Sequence, residues 1–291
     1  MKRKLAVATA TVLSLAFPTA IANAAPSPTT GVELVNGKDQ FGNTRAKFNI
    51  NEGNTVGLPA LKELRSWAWD QNPLFRGYDH EGFGKGTRLQ DVARANGITT
   101  KDEYLNIATH SDLHWIAVQR AMETSTKFDH VRPDGSSPRT ATRNGVTPAI
   151  ESLSAGTTLR DAIINGWGKS EVKKLNNNGG VWAGGTGHAI HILHPRHKVW
   201  GFGQVTVPGS KYRVYSTAVH ADMALEDADG FGKNYTNTGN NNPNNPPQQW
   251  IAPRDPISGR SSASSSVSSR SWAASGWRSS SSCRAKLAAS A

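Results

Sequence analysis

The sequence has a single cysteine, Cys283, among 291 residues. One thiol cannot close a disulfide within the chain, so the fold has to be stabilised by a buried core rather than by cross-links. Cys283 also lies in a serine-rich stretch without helical or strand periodicity. The sequence therefore argues against both a disulfide framework and a thiol nucleophile.

Long hydrophobic runs are equally scarce. One occurs at the N-terminus, where Lys2-Arg3-Lys4 precede an apolar stretch over residues 5–17 and a small-residue cleavage site at Ala22-Asn23-Ala24. The stretch is shorter than the roughly 20 residues that a membrane anchor needs, and the pattern is typical of a secretory signal peptide. We therefore expect residues 1–24 to be removed and the protein to be secreted, extracellular or cell-wall associated, without a transmembrane anchor.

The net charge of +11 is concentrated outside the central part of the chain. Three positive charges lie in residues 2–4 and a net five lie beyond residue 250, which leaves +3 for residues 25–250. A nucleic-acid-binding domain would carry a dominant basic face, so nucleic acid is not expected as a partner. Residues 226–291 are Asn/Pro-rich and then Ser/Arg-rich, which predicts a disordered low-complexity tail able to contact cell-wall polymers.

Apolar periodicity and turn residues predict four helices followed by a β-hairpin at Pro208-Gly209. The predicted helices cover residues 59–69, 88–98, 112–128 with Ser111 or Asp112 as cap, and 157–167 with Thr157 or Thr158 as cap. Helices followed by strands indicate an α+β fold. The expected organisation is an N-terminal extension over 25–57 and one domain over 58–225.

The segment "TGHAIHILHPRHKVWGFG" places His188, His191, His194 and His197 at every third position. On an α-helix each such step rotates the side chain by about 60°, and Pro195 would end the helix. The four rings therefore do not converge on one metal ion by spacing alone, and the glutamate of the zinc-protease motif is missing. Either two of these histidines join distant residues in a metal site, or the run is a surface turn with solvated imidazoles.

Three segments in order carry a family resemblance: "FDHVRPDGSS" (128–137), "ESLSAG" (151–156) and "TGHAIHILHP" (186–195). They resemble the signature segments of the CAP superfamily, the cysteine-rich secretory and pathogenesis-related proteins, and especially its bacterial SCP-like extracellular branch. The resemblance covers residues 58–220 and implies a CAP-type α-β-α sandwich, here followed by the tail. Ser152 and Ala189 depart from the family pattern, which has Asn and a frequent Arg there.

The resemblance implies a cleft lined by two histidines and two acids, which match His130, His188, Glu151 and, more loosely, Glu171. In some family members such a cleft binds a divalent metal such as zinc, which would fall to His130 and His188 here. Glu151 and His191 are further candidate ligands. These residues could instead have purely structural roles: Glu151 could cap a following helix, Glu171 could be a solvated charge at a helix end, and His194 and His197 could be solvated.

Taken together, these observations predict a secreted protein that acts by binding a divalent metal, a small molecule such as a lipid, or an extracellular protein. One alternative is a metal-dependent hydrolase in which Glu151 or Glu171 is the general base. Another is a wall-associated structural module that acts through its tail.

Overall fold

The computed structural model describes residues 26–27, 29–34 and 45–229, together with the backbone of 248–251. The expected signal peptide, most of the expected tail and Cys283 lie outside these residues. Within the described ranges, no helix has the length and hydropathy needed to cross a bilayer.

Helices and strands alternate irregularly along the chain, which confirms a mixed α+β fold. The helices are α1 Leu58–Gln71, α2 Leu89–Ala95, α3 Lys101–Leu105, α4 Ser111–Thr126, α5 Leu159–Asp161, α6 Glu171–Asn177 and α7 Gly187–Leu193. The strands are β1 Arg45–Phe48, β2 Ala108–Thr109, β3 Ile150–Ala155, β4 Val199–Thr206, β5 Val214–Ala221 and β6 Gln248–Ile251.

The strands form one sheet in the order β3-β5-β4-β1-β6, and β2 pairs with β4 beside β1. All pairs are antiparallel except β2 with β4. β1 lies in the segment expected to be an N-terminal extension, and β6 lies in the segment expected to be tail. Among the described strands, β3 forms one edge of the sheet, and this edge is where the candidate site lies.

Helix α4 covers one face of the sheet at very short range because β4 presents glycines to it. A Cβ atom on Gly201 would lie 2.1 Å from the carbonyl carbon of Leu113, and one on Gly203 would lie 2.4 Å from the backbone nitrogen of Val118. Both contacts are far inside van der Waals range. The absence of side chains at these two positions therefore sets the distance between helix and sheet.

Helices α1 and α7 cover the opposite face, around Trp200 and Phe202 of β4. The guanidinium of Arg65 in α1 is fully buried there. It donates hydrogen bonds to the backbone oxygens of Ile192 (2.9 Å), His194 (3.0 Å) and His197 (2.9 Å). These bonds satisfy the carbonyls of Ile192 and His194 at the end of α7, which a helix leaves without intrahelical partners, and that of His197 in the turn that follows.

Helices α5 and α6 are joined without a break by a π-helical segment, Ala162–Ser170. The indole nitrogen of Trp167 donates to the backbone oxygen of Leu153 in β3 at 3.0 Å. Gly168 packs against α1, where an added Cβ would lie 2.5 Å from Cδ1 of Leu64. The segment is thus fixed to both β3 and α1, and it places Glu171 at the first residue of α6.

Most local predictions are confirmed, with one correction at a helix start. The hairpin turns at Pro208-Gly209, where Gly209 has φ of 80°, and Thr158 caps α5 by accepting from the backbone of Asp161 at 3.3 Å. The cap of α4 was predicted to be Ser111 or Asp112, but it is His110, whose Nδ1 accepts from the backbone nitrogen of Asp112 at 3.1 Å. An imidazole nitrogen one residue earlier serves the same purpose as the expected oxygen.

We expect Gly203→Ala to destabilise the protein by about 1–3 kcal/mol or more, because the new methyl group forces α4 away from β4. The urea midpoint for unfolding should fall, with the slope unchanged. Gly84→Ala is the matched control, since nothing lies within 4 Å of a Cβ there. A wild-type midpoint for Gly203→Ala would show that α4 does not depend on this close approach.

Candidate functional site

The candidate site is organised around the edge strand β3. Successive side chains of a strand point to opposite faces of its sheet, so Glu151 and Ser152 diverge. Glu151 points to the face covered by α4 and bonds Arg120 of that helix, whereas Ser152 points to the other face and bonds His191 of α7. One edge strand therefore contacts groups from both helical layers.

The first functional pair joins His130, in the loop after α4, to Glu151. His130 Nδ1 lies 2.9 Å from Glu151 Oε1, and the imidazole is 28% exposed while the carboxylate is almost fully buried. An ionised carboxylate only accepts, so Nδ1 must carry the hydrogen. Nε2 is the other ring nitrogen, and it is the atom through which an imidazole oriented in this way would bind a metal.

Arg120 holds the Glu151 carboxylate in place from the other side. Its Nε and Nη2 donate to the two carboxylate oxygens at 2.8 and 2.9 Å, a bidentate geometry that fixes the plane of the acid. Burial by itself would raise the pKa of Glu151. Hydrogen bonds from Arg120 and His130, together with the positive charge of Arg120, outweigh burial and hold this pKa below its usual value.

Two further buried charges complete this network, and sequence reasoning did not identify them as part of the site. Glu123, one turn along α4, pairs with Arg120 and accepts from Arg132 Nη2 at 2.8 Å. Arg120 Nη2 also donates to the backbone oxygen of His130 at 2.9 Å. The available signal was Arg120 itself, a charged residue at a position of α4 that follows the apolar spacing of the helix.

The second pair joins His188 of α7 to Glu171 of α6. His188 Nδ1 lies 2.8 Å from Glu171 Oε1, and the other carboxylate oxygen accepts from the backbone nitrogen of Ala189 at 3.0 Å. The ring of Trp167 lies 5.9 Å from that of His188, and its nitrogen bonds β3, as described above. The second pair is thereby placed beside the same strand as the first. Below, "the two dyads" means His130–Glu151 and His188–Glu171.

The alternative, purely structural roles considered for Glu151 and Glu171 are both wrong. Glu171 is not a solvated helix-end charge, because its residue is 7% exposed and its carboxylate accepts the bonds just described. Glu151 does not cap a helix, because it lies within β3. The structure instead pairs Glu151 with His130 and Glu171 with His188.

His191 connects the neighbourhoods of the two dyads. Its Nδ1 lies 2.7 Å from Ser152 Oγ, and the side chain is buried. The pKa of His191 is well below its usual value, first because of burial and then because His220, His188 and, more weakly, His130 would place positive charge near it. His191 therefore stays neutral and lies within electrostatic reach of both dyad histidines.

The expectation that His194 and His197 are solvated is wrong, since both are buried. The His194 and His197 rings are 4.7 Å apart, and His197 stacks on His220 of β5 at 3.9 Å. His194 Nε2 bonds Glu81 Oε2 at 2.8 Å. The physical reason is that Arg65 holds the backbone after α7 against the sheet, so these rings turn inward rather than towards water.

The described residues contain no group of three or more His, Cys, Asp or Glu side chains arranged to hold a metal ion. In each dyad the carboxylate contacts Nδ1 of its histidine. Carboxylates that fix the ring of a metal-binding histidine are a common outer arrangement at metal sites. If a metal ion is held here, the Nε2 atoms of His130 and His188 would be its protein donors.

Comparisons with known proteins return no match for this chain among protein-family models, curated proteins or solved structures.

Replacing Arg120 should be strongly destabilising. Arg120→Met leaves Glu123 and Glu151 buried without their common partner, and loss of one member of a buried ionic network costs about 3–5 kcal/mol. Chemical denaturation measures the difference in unfolding free energy between the variant and the wild-type protein. Arg160→Met is the control, because the exposed pair of Arg160 with Glu63 is worth less than about 1 kcal/mol. An equal loss of unfolding free energy in the two variants would show that the Arg120 network stabilises the protein no more than an exposed ion pair does.

The buried histidines should make the protein acid-sensitive. Burial, and then the charges of Arg65 and His194, lowers the pKa of His220 to about 3, below the value of about 6.5 in the unfolded chain. Its contribution to stability is complete above pH 6.5 and is lost as the pH falls towards 3. In His220→Phe, the slope of unfolding free energy against pH over this window should decrease by up to about 1.4 kcal/mol per pH unit. An unchanged slope would show that His220 does not stay neutral in the fold.

Proposed function

We propose that this protein is a secreted, CAP-like binding protein whose two dyads hold a divalent metal ion such as zinc, or a small ligand such as a lipid in the same cleft. In this proposal the fold is the CAP-type α-β-α sandwich, and the protein acts outside the cell by binding. The observation that carries the proposal is the pairing of each partly exposed imidazole, through Nδ1, with a buried carboxylate. In both histidines the ring atom proposed to bind the ligand is therefore the same, Nε2.

In this proposal His130 and His188 are the metal ligands, and Glu151 and Glu171 hold their rings. Glu151 is a poor direct ligand, because Arg120 and His130 already occupy its two oxygens. His191 also bonds through Nδ1, to Ser152, and its buried Nε2 has no hydrogen-bond partner among the described residues, so in this proposal it is a further ligand for an ion that reaches the interior. A metal held by two protein ligands keeps open positions, where a small molecule can bind as a further ligand.

The geometry favours binding over hydrolysis. A metal-dependent hydrolase needs a carboxylate that takes a proton from the attacking water. Arg120 keeps the pKa of Glu151 low despite burial, which weakens this acid as a base. Both oxygens of Glu171 accept hydrogen bonds from α7. Neither carboxylate is therefore placed for that role.

Calorimetric zinc titration of the protein from Ala25 onward tests the proposal. We expect binding with one ion per chain, lost in His130→Ala and in His188→Ala. Glu171→Gln should weaken binding by about 10–100-fold, because the ring of His188 loses its anionic partner. His80→Ala, which removes an exposed histidine outside the dyads, is the control.

Circular dichroism should show that all four variants are folded. Binding that persists in both alanine variants of the dyads would exclude this site. Absence of zinc binding in the parent protein would exclude the metal and leave the small-ligand form of the proposal, for which the same variants are the test.

A further inference from the structure

The large hydrophobic side chains that stay exposed in the described part of the chain are Phe128, Val131, Trp182 and Tyr212, at 40–50% exposure. Single exposed apolar residues are common and need no explanation. These four, however, lie in the loops that carry or adjoin the two dyads. We call them the rim.

Phe128, Val131 and Tyr212 form the rim beside His130. Phe128 and Val131 flank His130 in the chain, and the Phe128 and Tyr212 rings lie 6.2 Å apart at 58°. Lys211 Nζ lies 4.8 Å from the centre of the Tyr212 ring. Exposed aromatic surface and a cation therefore occur together on this side.

Trp182 forms the rim beside His188. A Cβ on Gly187 would lie 2.8 Å from Cη2 of Trp182, so the indole packs directly on the backbone next to His188. A Cβ on Gly185 would lie 2.8 Å from Nζ of Lys174, which places this lysine against the same loop. An exposed aromatic ring and a lysine are thus found beside the second dyad as well.

We propose that the rim binds an anionic polysaccharide, and this proposal rests on the proposed role of the two dyads as an extracellular binding surface. Sugar rings have apolar faces and polar edges. Their faces would stack on Trp182 and on the Phe128–Tyr212 pair, and their carboxylates would pair with Lys174 and Lys211.

The surface chemistry favours a polysaccharide over a lipid. A lipid chain needs an enclosed apolar site that buries most of its surface, whereas the rim side chains are 40–50% exposed and have Lys211 and Lys174 beside them. A polymer that carries both apolar faces and negative charges matches this combination. Two acids lie in the His130 loop. Asp129 is offset by Lys127, whose Nζ lies 3.1 Å from it, and Asp134 accepts from the backbone nitrogen and hydroxyl of Ser136 at 2.9 and 2.6 Å.

The test compares polygalacturonate with its fully methyl-esterified form, which keeps the backbone but not the charge. Binding is measured by calorimetry in EDTA, so that no metal bridges protein and polymer. We expect binding to polygalacturonate that weakens as salt is raised, and weak or no binding to the ester.

The variants separate stacking from charge. Trp182→Ala and Tyr212→Ala should each weaken binding about tenfold, whereas Trp182→Phe and Tyr212→Phe keep a ring and most of the affinity. Lys174→Ala and Lys211→Ala should also weaken binding. Lys62→Ala, an exposed lysine on α1, should have no effect.

Equal affinity for the charged and esterified polymers would overturn the proposal. So would unchanged binding in folded Trp182→Ala and Tyr212→Ala, or binding to phosphatidylglycerol vesicles in place of the polymer. Zinc binding without polysaccharide binding would overturn this proposal and leave the metal site standing. Polysaccharide binding without zinc binding would support the rim and reject the metal.

Discussion

The buried guanidinium of Arg120 is the group on which the candidate site depends. It joins a helix of one layer to the edge strand through Glu151 and to the loop of His130 through a backbone oxygen. A buried charge is costly unless it is paired and hydrogen-bonded, and here each guanidinium nitrogen has an acceptor among two carboxylates and two backbone carbonyls. The loop after α4 is consequently held by charge pairing, since no disulfide within the described residues could hold it.

The acids of the two dyads are held in place by different groups on the two sides of the sheet. On the α4 side, the acid of the dyad is fixed by an arginine. On the α7 side, Glu171 is fixed by the backbone of Ala189 and by the position of α6. Both histidines contact their carboxylates through the same ring atom, Nδ1, beside one edge strand. The neutral, buried His191 between them adds no charge to the site.

Local sequence patterns predicted α1, α2, α4 and the hairpin, because apolar periodicity and turn residues act over short distances. β3 was not predicted as a strand, since its Glu151, Ser152 and Ser154 conceal the alternation expected of one. The burial of His194 and His197 was also missed. One reason is that an imidazole can lie either in water or among aromatic side chains. The other is that the residue that turns these histidines inward, Arg65, lies more than 120 residues earlier in the chain. Sequence spacing could not predict the pairing of Glu171 with His188 either, because this pairing depends on how α6 and α7 pack.

The π-helical segment before α6 has a consequence for how this chain can vary. Each residue added to or removed from a helix rotates everything that follows by about 100°. The neighbouring residues Trp167 and Gly168 fix the segment to β3 and to α1, so the number of residues from them to Glu171 determines whether this acid faces His188. Loops elsewhere on the surface tolerate changes in length. The length of the π-helical segment is therefore constrained, and we expect related chains to have no insertions or deletions within it.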